Sequence, residues 1–533
     1  GSYLLPNNAP LIANRLTVLK DLNKIDKAID LFKTLKKDLK KDTDIQGAWA
    51  GILMNEQKMS EASEILMHIT KKKPSIASHW INLAACQKAL KYNLKSEKYL
   101  KKGLKYCPNN KNLEQALAQS LSESGQAEKA IKIMQKHLKD GIPNEDTHIF
   151  NFQFIGSATQ LIKPNEIQNV ALKWEKENYN SGVGPIWEDC HRECLESRNL
   201  KIAYLSADFC NHPVSRFLLP ILKNHDQNSL DVFCLSCGPH KDEVTKLIAN
   251  SCSRFIDVKN INDNELARLI SDLKIDVLIE LGGYTGFSRI KSLIYKPAPI
   301  QLSYLGYFAP TYLQCIDGWI GDNELFNGLC DFDKKQNMLT IEGGYMAFKP
   351  LDLPELKRSK GNKIRFGSFN NSRKLTNKSI QLFCKVLESS PESELVIKSI
   401  TFVEKEEKQR ILNLFLKNGL DRKRLIMLDW IKGTKSHMSQ YQWIDIALDP
   451  IPYGGATTTA EALWMGVPVI TLAGAGMVGR LSSSLLKSAA CNEWIANDIN
   501  EYEKIALKLA SEGPRSVLSR QILREKVANS NLA

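Results

Sequence analysis

Residues 449–474 read DPIPYGGATTTAEALWMGVPVITLAG. An apolar run ends at Asp449, two glycines and three threonines follow, Ala460 onward has helix-forming composition, and Pro468 precedes a second run, VITL. The order strand, loop, helix, strand is that of a parallel βαβ unit. Its glycines and hydroxyls sit where the strand ends and the helix begins, with the threonines expected to cap the helix. That placement suits either a plain turn or a cradle for an anion, because free N–H groups and the helix dipole converge there.

The same alternation recurs on both sides. KIAYLSAD, DVFCLSC, DVLIELGG and IQLSYLGY form one series of short β-rich runs. IRFGSFNN, ELVIKS, RLIMLDW, WIDIALDP and PVITLAG form a second. Apolar runs of this length separated by helices imply parallel sheets covered on both faces. The chain is therefore expected to hold two Rossmann-like doubly wound domains, over 199–350 and 351–533. The segment 322–362, rich in Asp, Gly, Lys and Pro, reads as their connection. Ligands of such sheets bind beyond the carboxyl ends of the strands, which makes the residues there the candidates. They are His212 and Pro213 after the first run, Gly283 and Tyr284 in LGGYTG, Asn371 and Lys374 in FNNSRKLT, and Gly455, Ala456, Thr457, Thr458, Thr459 and Glu461 in the opening stretch. A helix end contributes only about 0.3–1 kcal/mol to an anion, up to ~2 when partly buried. Expelling a diphosphate needs a cation as well, and Lys374 is the candidate; Glu461, one turn into the helix, suits ribose hydroxyls. Neither GxGxxG nor GxxxxGK[ST] stands at any strand end, which argues against a dinucleotide oxidoreductase or a P-loop ATPase.

The first third is different. Small residues recur every 34 positions at Ala28, Ala62, Ser96 and Ala130, and again at Ala50, Ala84 and Ala118. Leu31, Ile65, Tyr99 and Ile133 keep the same spacing, as do Pro74 and Pro108. Paired antiparallel helices approach closely only where small side chains meet, and each pair buries what its neighbour exposes. About four such units are expected over residues 1–142, similar to tetratricopeptide repeats, which bind protein segments. Residues 143–198, with Trp174 and Trp187, read as a helical linking region.

Composition narrows the class. At 533 residues, 43 % apolar and 25 % charged, the chain is long enough for several domains. No apolar run of about 18 residues exists, so no membrane span is expected, and with no secretory leader and scattered cysteines a cytoplasmic location is expected. Net charge is +13, and residues 1–150 carry 25 Lys and Arg against 16 Asp and Glu. Those lysines are interleaved with acids along helices, so they read as solvated faces and no nucleic-acid partner is expected. Cys190/Cys194 and Cys234/Cys237 lack further ligands at zinc spacing, so no metal is expected there. Asp42-Thr-Asp44 and Asp331-Phe-Asp333 match DxD but lie in the repeats and in the connecting segment, where they read as chance.

Repeats followed in order by SADFCNHPVSRFL, DVLIELGGYTG, KPAPIQLSYLGY, IRFGSFNNSRKLT and PYGGATTTAEALWMGVPVITL resemble glycosyltransferase family 41, the protein O-GlcNAc transferases and SPINDLY-like proteins. The resemblance runs from about residue 10 to 511. It implies a GT-B fold behind a tetratricopeptide superhelix (α followed by α/β) and an inverting, metal-independent transfer with a nucleotide-sugar co-substrate. By matching position, Lys374 stabilises the departing diphosphate and Asn371 lies beside it. Thr457 and Thr458 hold phosphate, Glu461 meets the ribose, and His212 lies near acceptor and sugar. Pro213, Phe308 and Pro310 fall in the acceptor or sugar pocket. The sequence departs from the family in having Ala456 where a histidine is usual, and Phe308-Ala309-Pro310-Thr311 in place of a Pro-Gly-Thr-like turn. Both departures lie where sugar or nucleobase would sit and so bear on the donor; the first expectation from the resemblance is transfer of GlcNAc from UDP-GlcNAc to Ser/Thr of a polypeptide recruited by the repeats. Fucose from GDP-fucose, glucose from UDP-glucose (to Asn in some relatives) and a non-catalytic scaffold stand as alternatives.

Overall fold

The structure is a computed structural model that describes residues 7–22, 24–141, 145–179, 185–189, 198–358 and 361–533. The chain divides into two compact units, one of residues 1–141 with 400–412, the other of 142–399 with 413–533.

The first unit is built from helix pairs: Ala9–Asp21 with Ile25–Thr34, Thr43–Asn55 with Met59–Lys72, Ala77–Ala89 with Asn93–Tyr106, and Lys111–Glu123 with Ala127–Asp140. Both series of small residues are buried, Ala28, Ala62, Ser96 and Ala130 in the second helices, Ala50, Ala84 and Ala118 in the first. The turns repeat too: Gln57, Lys91 and Gly125, again 34 apart, all have positive φ (61°, 66° and 73°). Only the glycine at the third adopts that conformation without steric cost. Residues 400–412, expected in the second sheet domain, group with this unit. The Glu404 carboxylate accepts from Leu94 N and Lys95 N, each at 2.9 Å, and so caps the helix Asn93–Tyr106, whose own N-cap, Tyr92, makes no side-chain bond.

The second unit begins with helices Asp146–Thr159 and Pro164–Asn178, and the region expected as a linker thus packs with the sheets. Trp174 is fully buried there, and its indole N–H donates to Asp146 Oδ1 at 2.9 Å. The first sheet holds β1 (Leu200–Ser206), β2 (Leu230–Ser236), β3 (Arg254–Asp257), β4 (Val277–Glu280), β5 (Ile300–Ser303), β6 (Gly318–Gly321) and β7 (Met338–Thr340), in the order β3-β2-β1-β4-β5-β6-β7. The second holds β8 (Arg365–Ser368), β9 (Glu394–Lys398), β10 (Leu425–Leu428), β11 (Ile446–Leu448), β12 (Val469–Leu472) and β13 (Ile495–Ala496), in the order β10-β9-β8-β11-β12-β13. Every pairing is parallel. The segment 322–362 is more than a connection, because β7 lies inside it and extends the first sheet.

Strand order reverses between β1 and β4 in one sheet and between β8 and β11 in the other. Loops beyond those ends diverge to opposite faces and leave a crevice. The four loops concerned carry Asp208–His212, Gly282–Tyr284, Asn370–Lys374 and Asp449–Gly455.

Candidate active site

The loop after β11 answers why two glycines stand together. Asp449 is buried at the strand end, where its carboxylate accepts from Gly455 N at 2.6 Å and from Thr471 Oγ1 at 2.8 Å. A Cβ on Gly454 would stand 2.8 Å from Asp449 Oδ2, and one on Gly455 would stand 2.8 Å from Oδ1 and 2.5 Å from Thr459 Oγ1. The loop closes around a carboxylate, and only glycine leaves it room.

The helix that follows runs Thr457–Trp464, and its N-cap is Ala456, which supplies no side-chain bond. The expected threonine cap is therefore corrected: Thr457, Thr458 and Thr459 are the first three helical residues. Helical phase sends them in different directions. Thr457 and Thr458 stay partly exposed, Thr458 donating to Asn370 Oδ1 at 2.9 Å. Thr459 is buried against Ser482, with the hydroxyls 2.8 Å apart.

Lys374 ends the short turn Ser372–Lys374 beyond β8. Its Nζ donates to Gly454 O at 2.5 Å and lies 4.1 Å from the centre of the Tyr453 ring. The residue as a whole is half-buried, but the ammonium end is enclosed. Burial, helped by the Arg373 charge and opposed by Asp449, lowers its pKa to about 7. Asn371 caps this turn by accepting from Arg373 N at 3.1 Å. Its neighbour Asn370, which sequence reasoning passed over, is the asparagine that reaches the helix.

Glu461 is buried and already engaged. Oε1 accepts from Arg216 Nη1 at 2.7 Å, and Oε2 lies 3.0 Å from His437 Nε2. Burial works against its ionised form, but His437, Arg216 and Lys398 outweigh it and hold the carboxyl below its ordinary value. Lys398 Nζ lies 2.6 Å from His437 Nδ1, and burial brings this lysine down to about 8. Arg216 belongs to the helix Pro213–Lys223 of the first sheet domain, so this chain of contacts spans the crevice. A cavity of about 360 Å³ opens over Glu461, walled by Arg216, Leu219, Phe348, Leu351, Thr434 and Met438.

His212 is the N-cap of that helix. Its Nδ1 accepts from Val214 N at 3.4 Å and lies 3.5 Å from Asp208 Oδ2. Burial lowers its pKa, with Asp208 opposing. Nδ1 thus faces both the Val214 N–H, which calls for a lone pair, and the Asp208 carboxylate, which calls for a proton, so the tautomer of His212 follows the charge on Asp208. Pro213 is exposed at the first helical position.

Two candidates turn into the core. Gly283 (φ +51°) and Gly282 donate to the buried Glu280 carboxylate, and a Cβ on Gly283 would stand 2.4 Å from the Tyr307 ring. Tyr284 is buried, with its hydroxyl donating to Thr311 O at 2.6 Å. Both support the loop from within, because the tight turn points them into the core. Phe308 is buried between Tyr453 and Phe154, each ring centre 5.0 Å away, and so ties the two sheet domains together. Pro310 is buried beside it.

The structure thus brings Lys374, Gly455, Thr458 and Glu461 into one crevice with His212 at its edge. Sequence reasoning missed Arg216, Asn370, Lys398, His437, Asp449 and Tyr453. Two left a signal: Arg216 lies one helical turn after His212, and Lys398 directly follows the apolar run Leu395–Ile397 at the end of its strand. Among the described residues no group of His, Cys, Asp and Glu is arranged to hold a metal ion. Cys234 and Cys237 are buried, whereas Cys190 and Cys194 lie outside the described residues. Of the DxD acids, Asp42 caps a helix and Asp333 accepts from Tyr312. Among the described residues no helix is long and apolar enough to cross a membrane.

This arrangement has known counterparts. SPINDLY of Solanum lycopersicum, described as a probable UDP-N-acetylglucosamine–peptide N-acetylglucosaminyltransferase, is 30 % identical over 347 residues, covering 63 % of this chain and 37 % of that protein. The Arabidopsis thaliana protein of the same description is 31 % identical over 342 residues, covering 62 % and 37 %. The chain thus spans little more than a third of the length of these curated relatives. A solved Thermobaculum terrenum O-GlcNAc transferase mutant superposes with a TM-score of 0.82 at 25 % identity, covering 94 % of each chain. The profile of Glycosyl transferase family 41 matches residues 185–325 and 356–532, more than half of the chain and both sheet domains. The chain belongs to glycosyltransferase family 41.

Proposed function

We propose that this chain is an inverting protein glycosyltransferase that uses a nucleoside-diphosphate sugar. The observation that carries the reading is Lys374: its ammonium group is enclosed at the loop that opens the helix Thr457–Trp464, with Glu461 one turn further on. A donor laid along this line meets cation and helix N–H groups with its diphosphate and a carboxylate with its ribose. The acceptor hydroxyl oxygen attacks the anomeric carbon from the face opposite the diphosphate. The bond from that carbon to the phosphate oxygen breaks, its electron pair leaves with the diphosphate, and the hydroxyl proton passes to a base. Lys374 and the Thr457 hydroxyl meet the charge that develops on the leaving oxygens, joined by the Thr458 hydroxyl once its proton turns from Asn370. One well-placed donor of this kind is typically worth about 2.7–4 kcal/mol of barrier. The positive charge is the chain's own, so the proposed reaction needs no metal ion.

The sugar assigned first is N-acetylglucosamine carried by UDP, with serine or threonine of a polypeptide as acceptor; the names of the relatives support it. Calorimetric titration with UDP-GlcNAc, UDP-glucose and GDP-fucose, followed by mass spectrometry of acceptor peptides, tests both parts. Selective binding of UDP-GlcNAc and a matching mass increase on Ser or Thr are expected, with transfer lost in Lys374→Ala. Preference for another donor would overturn the sugar. Normal turnover by Lys374→Ala would overturn the mechanism.

A further inference from the structure

The second helices of the four repeats differ in charge. In Ile25–Thr34 and Met59–Lys72 two lysines stand against two acids, Asp26 and Asp30 in one, Glu61 and Glu64 in the other. Ala127–Asp140 sets Lys129, Lys132, Lys136 and Lys139 against Glu128 and Asp140. Asn93–Tyr106 breaks the interleaving, with Lys95, Lys98, Lys101, Lys102 and Lys105 against Glu97. All five lysines are exposed. Among the described residues only Lys101 pairs with a carboxylate, that of Glu97, which is buried and also accepts from Gln126 Nε2 at 2.7 Å. Glu404, at the start of the helix, is engaged by backbone N–H groups. Lys95, Lys98, Lys102 and Lys105 follow the helical period and form one stripe along the helix. The last three of these, with Tyr99 and Tyr106, wall an open groove of about 910 Å³.

We infer that this stripe takes an acidic stretch of the acceptor polypeptide, whose aspartate or glutamate carboxylates pair with Lys95, Lys98, Lys102 and Lys105. That the bound polypeptide is the acceptor rests on the reading of the chain as a protein glycosyltransferase; the pairing rests on the charge alone. Without a partner the stripe works against its own helix. Lysines three and four apart repel, and the helix dipole favours Lys105 in the last turn but opposes Lys95 in the first. A row of carboxylates laid along the stripe turns that repulsion into attraction. The helix has 14 residues and is about 21 Å long, which about six residues of extended chain span. Single-stranded nucleic acid also presents a row of anions, but it binds by stacking its bases on free rings. Here Tyr106 lies stacked on Trp80, with ring centres 6.0 Å and planes 5° apart, and Lys102 Nζ stands 5.5 Å from the Trp80 ring. Tyr99 is tied by its hydroxyl to Met67 Sδ at 3.2 Å.

The test is fluorescence anisotropy of the full chain with three labelled probes: a short peptide rich in glutamate, its counterpart with glutamine in place of each glutamate, and a single-stranded RNA of equal charge. The glutamate peptide should bind roughly tenfold more tightly than the glutamine one. Lys95→Gln, Lys98→Gln, Lys102→Gln and Lys105→Gln together should erase that preference. The same change at Lys129, Lys132, Lys136 and Lys139, all exposed on the corresponding helix of the next repeat, should leave it within twofold. Both variants lose the same charge, so the comparison separates a site from the overall charge of the chain. If the first variant melts early, the pair Lys98→Gln and Lys102→Gln replaces it, with a loss of about threefold expected. No preference for glutamate, equal losses in the two variants, or tighter binding of the RNA through the same lysines overturns the inference. Stripe-dependent binding of the glutamate peptide without transfer from any nucleotide sugar would sink the enzymatic reading and leave the surface assigned. Transfer to Ser and Thr peptides that ignores an attached glutamate tract would leave that reading and overturn the inference.

Discussion

Donor binding should take up a proton above neutral pH, and Lys374 should be the residue that takes it up. Burial, assisted by Arg373, brings its pKa from 10.5 to about 7. A diphosphate placed against Nζ favours the charged form and moves the pKa back toward the ordinary lysine value. Binding therefore draws in a proton wherever free Lys374 is neutral. At pH 8 a group of pKa about 7 is about one-tenth protonated, so uptake approaches about 0.9 proton per donor; at pH 6 it falls to about 0.1. The dissociation constant should be flat on the acid side of pH 7. It should then rise about tenfold per pH unit until the pKa of the complex is reached. Calorimetry of UDP-GlcNAc in buffers of different ionisation enthalpy reads the proton count directly. The intact donor is preferable to UDP, whose terminal phosphate titrates near neutrality. Lys398, lowered to about 8, sits near Glu461 and is the other lysine that would take up a proton, so the comparison with Lys374→Met isolates the lysine proposed to meet the diphosphate. Equal uptake at pH 6 and pH 8, or uptake unchanged in Lys374→Met, would refute the reasoning.

Two further outcomes follow from the crevice. Arg216→Ala should lower the unfolding free energy by about 1.5–3 kcal/mol, the range for a charge-assisted hydrogen bond; because the pair acts as a unit, Glu461→Gln should cost clearly less in that background than alone, and strict additivity in denaturant melts would show the contact to be idle. Gly455→Ala places a methyl 2.5 Å from Thr459 Oγ1, an overpacking that typically costs about 1–3 kcal/mol, so wild-type donor affinity in that variant would contradict the account of the loop.

The long buried strands were legible because burial on both faces writes itself as an apolar run: β1, β2 and β9 are read directly from KIAYLS, DVFCLS and ELVIK. β3, β6, β7 and β13 left no such mark. β13 has two residues, and β7 at the sheet edge is largely exposed, so neither needs an apolar sequence. The repeat was legible through its small residues, since helix contact forbids anything larger. Its turns were not, because Gln57 and Lys91 take the same left-handed conformation as Gly125 without glycine's signature. At the site the legible residues belong to loops whose backbone dictates them. Partners that cross the crevice, such as Arg216 to Glu461 and Tyr453 to Phe308, have no spacing in the chain to betray them.

Charge balance divides the crevice into two ends, and the division is the physical basis of the proposed donor orientation. Glu461 is neutralised by the Arg216 guanidinium on one side and lies within hydrogen-bond distance of His437 Nε2 on the other. A neutral diol can hydrogen-bond to a carboxylate so held, with no change of net charge, whereas a phosphate there would face a buried anion. Lys374 is in the opposite state: its hydrogen bond goes to the neutral carbonyl of Gly454, and the nearby Asp449 is occupied by Gly455 and Thr471. An ammonium group so placed is destabilised until an anion arrives, and the depressed pKa expresses that cost. In the proposed reaction, binding energy is therefore concentrated at the end where negative charge grows during transfer. A leaving group that gains charge as its bond breaks is held more tightly in the transition state than the intact donor is, which is the condition for catalysis rather than mere affinity.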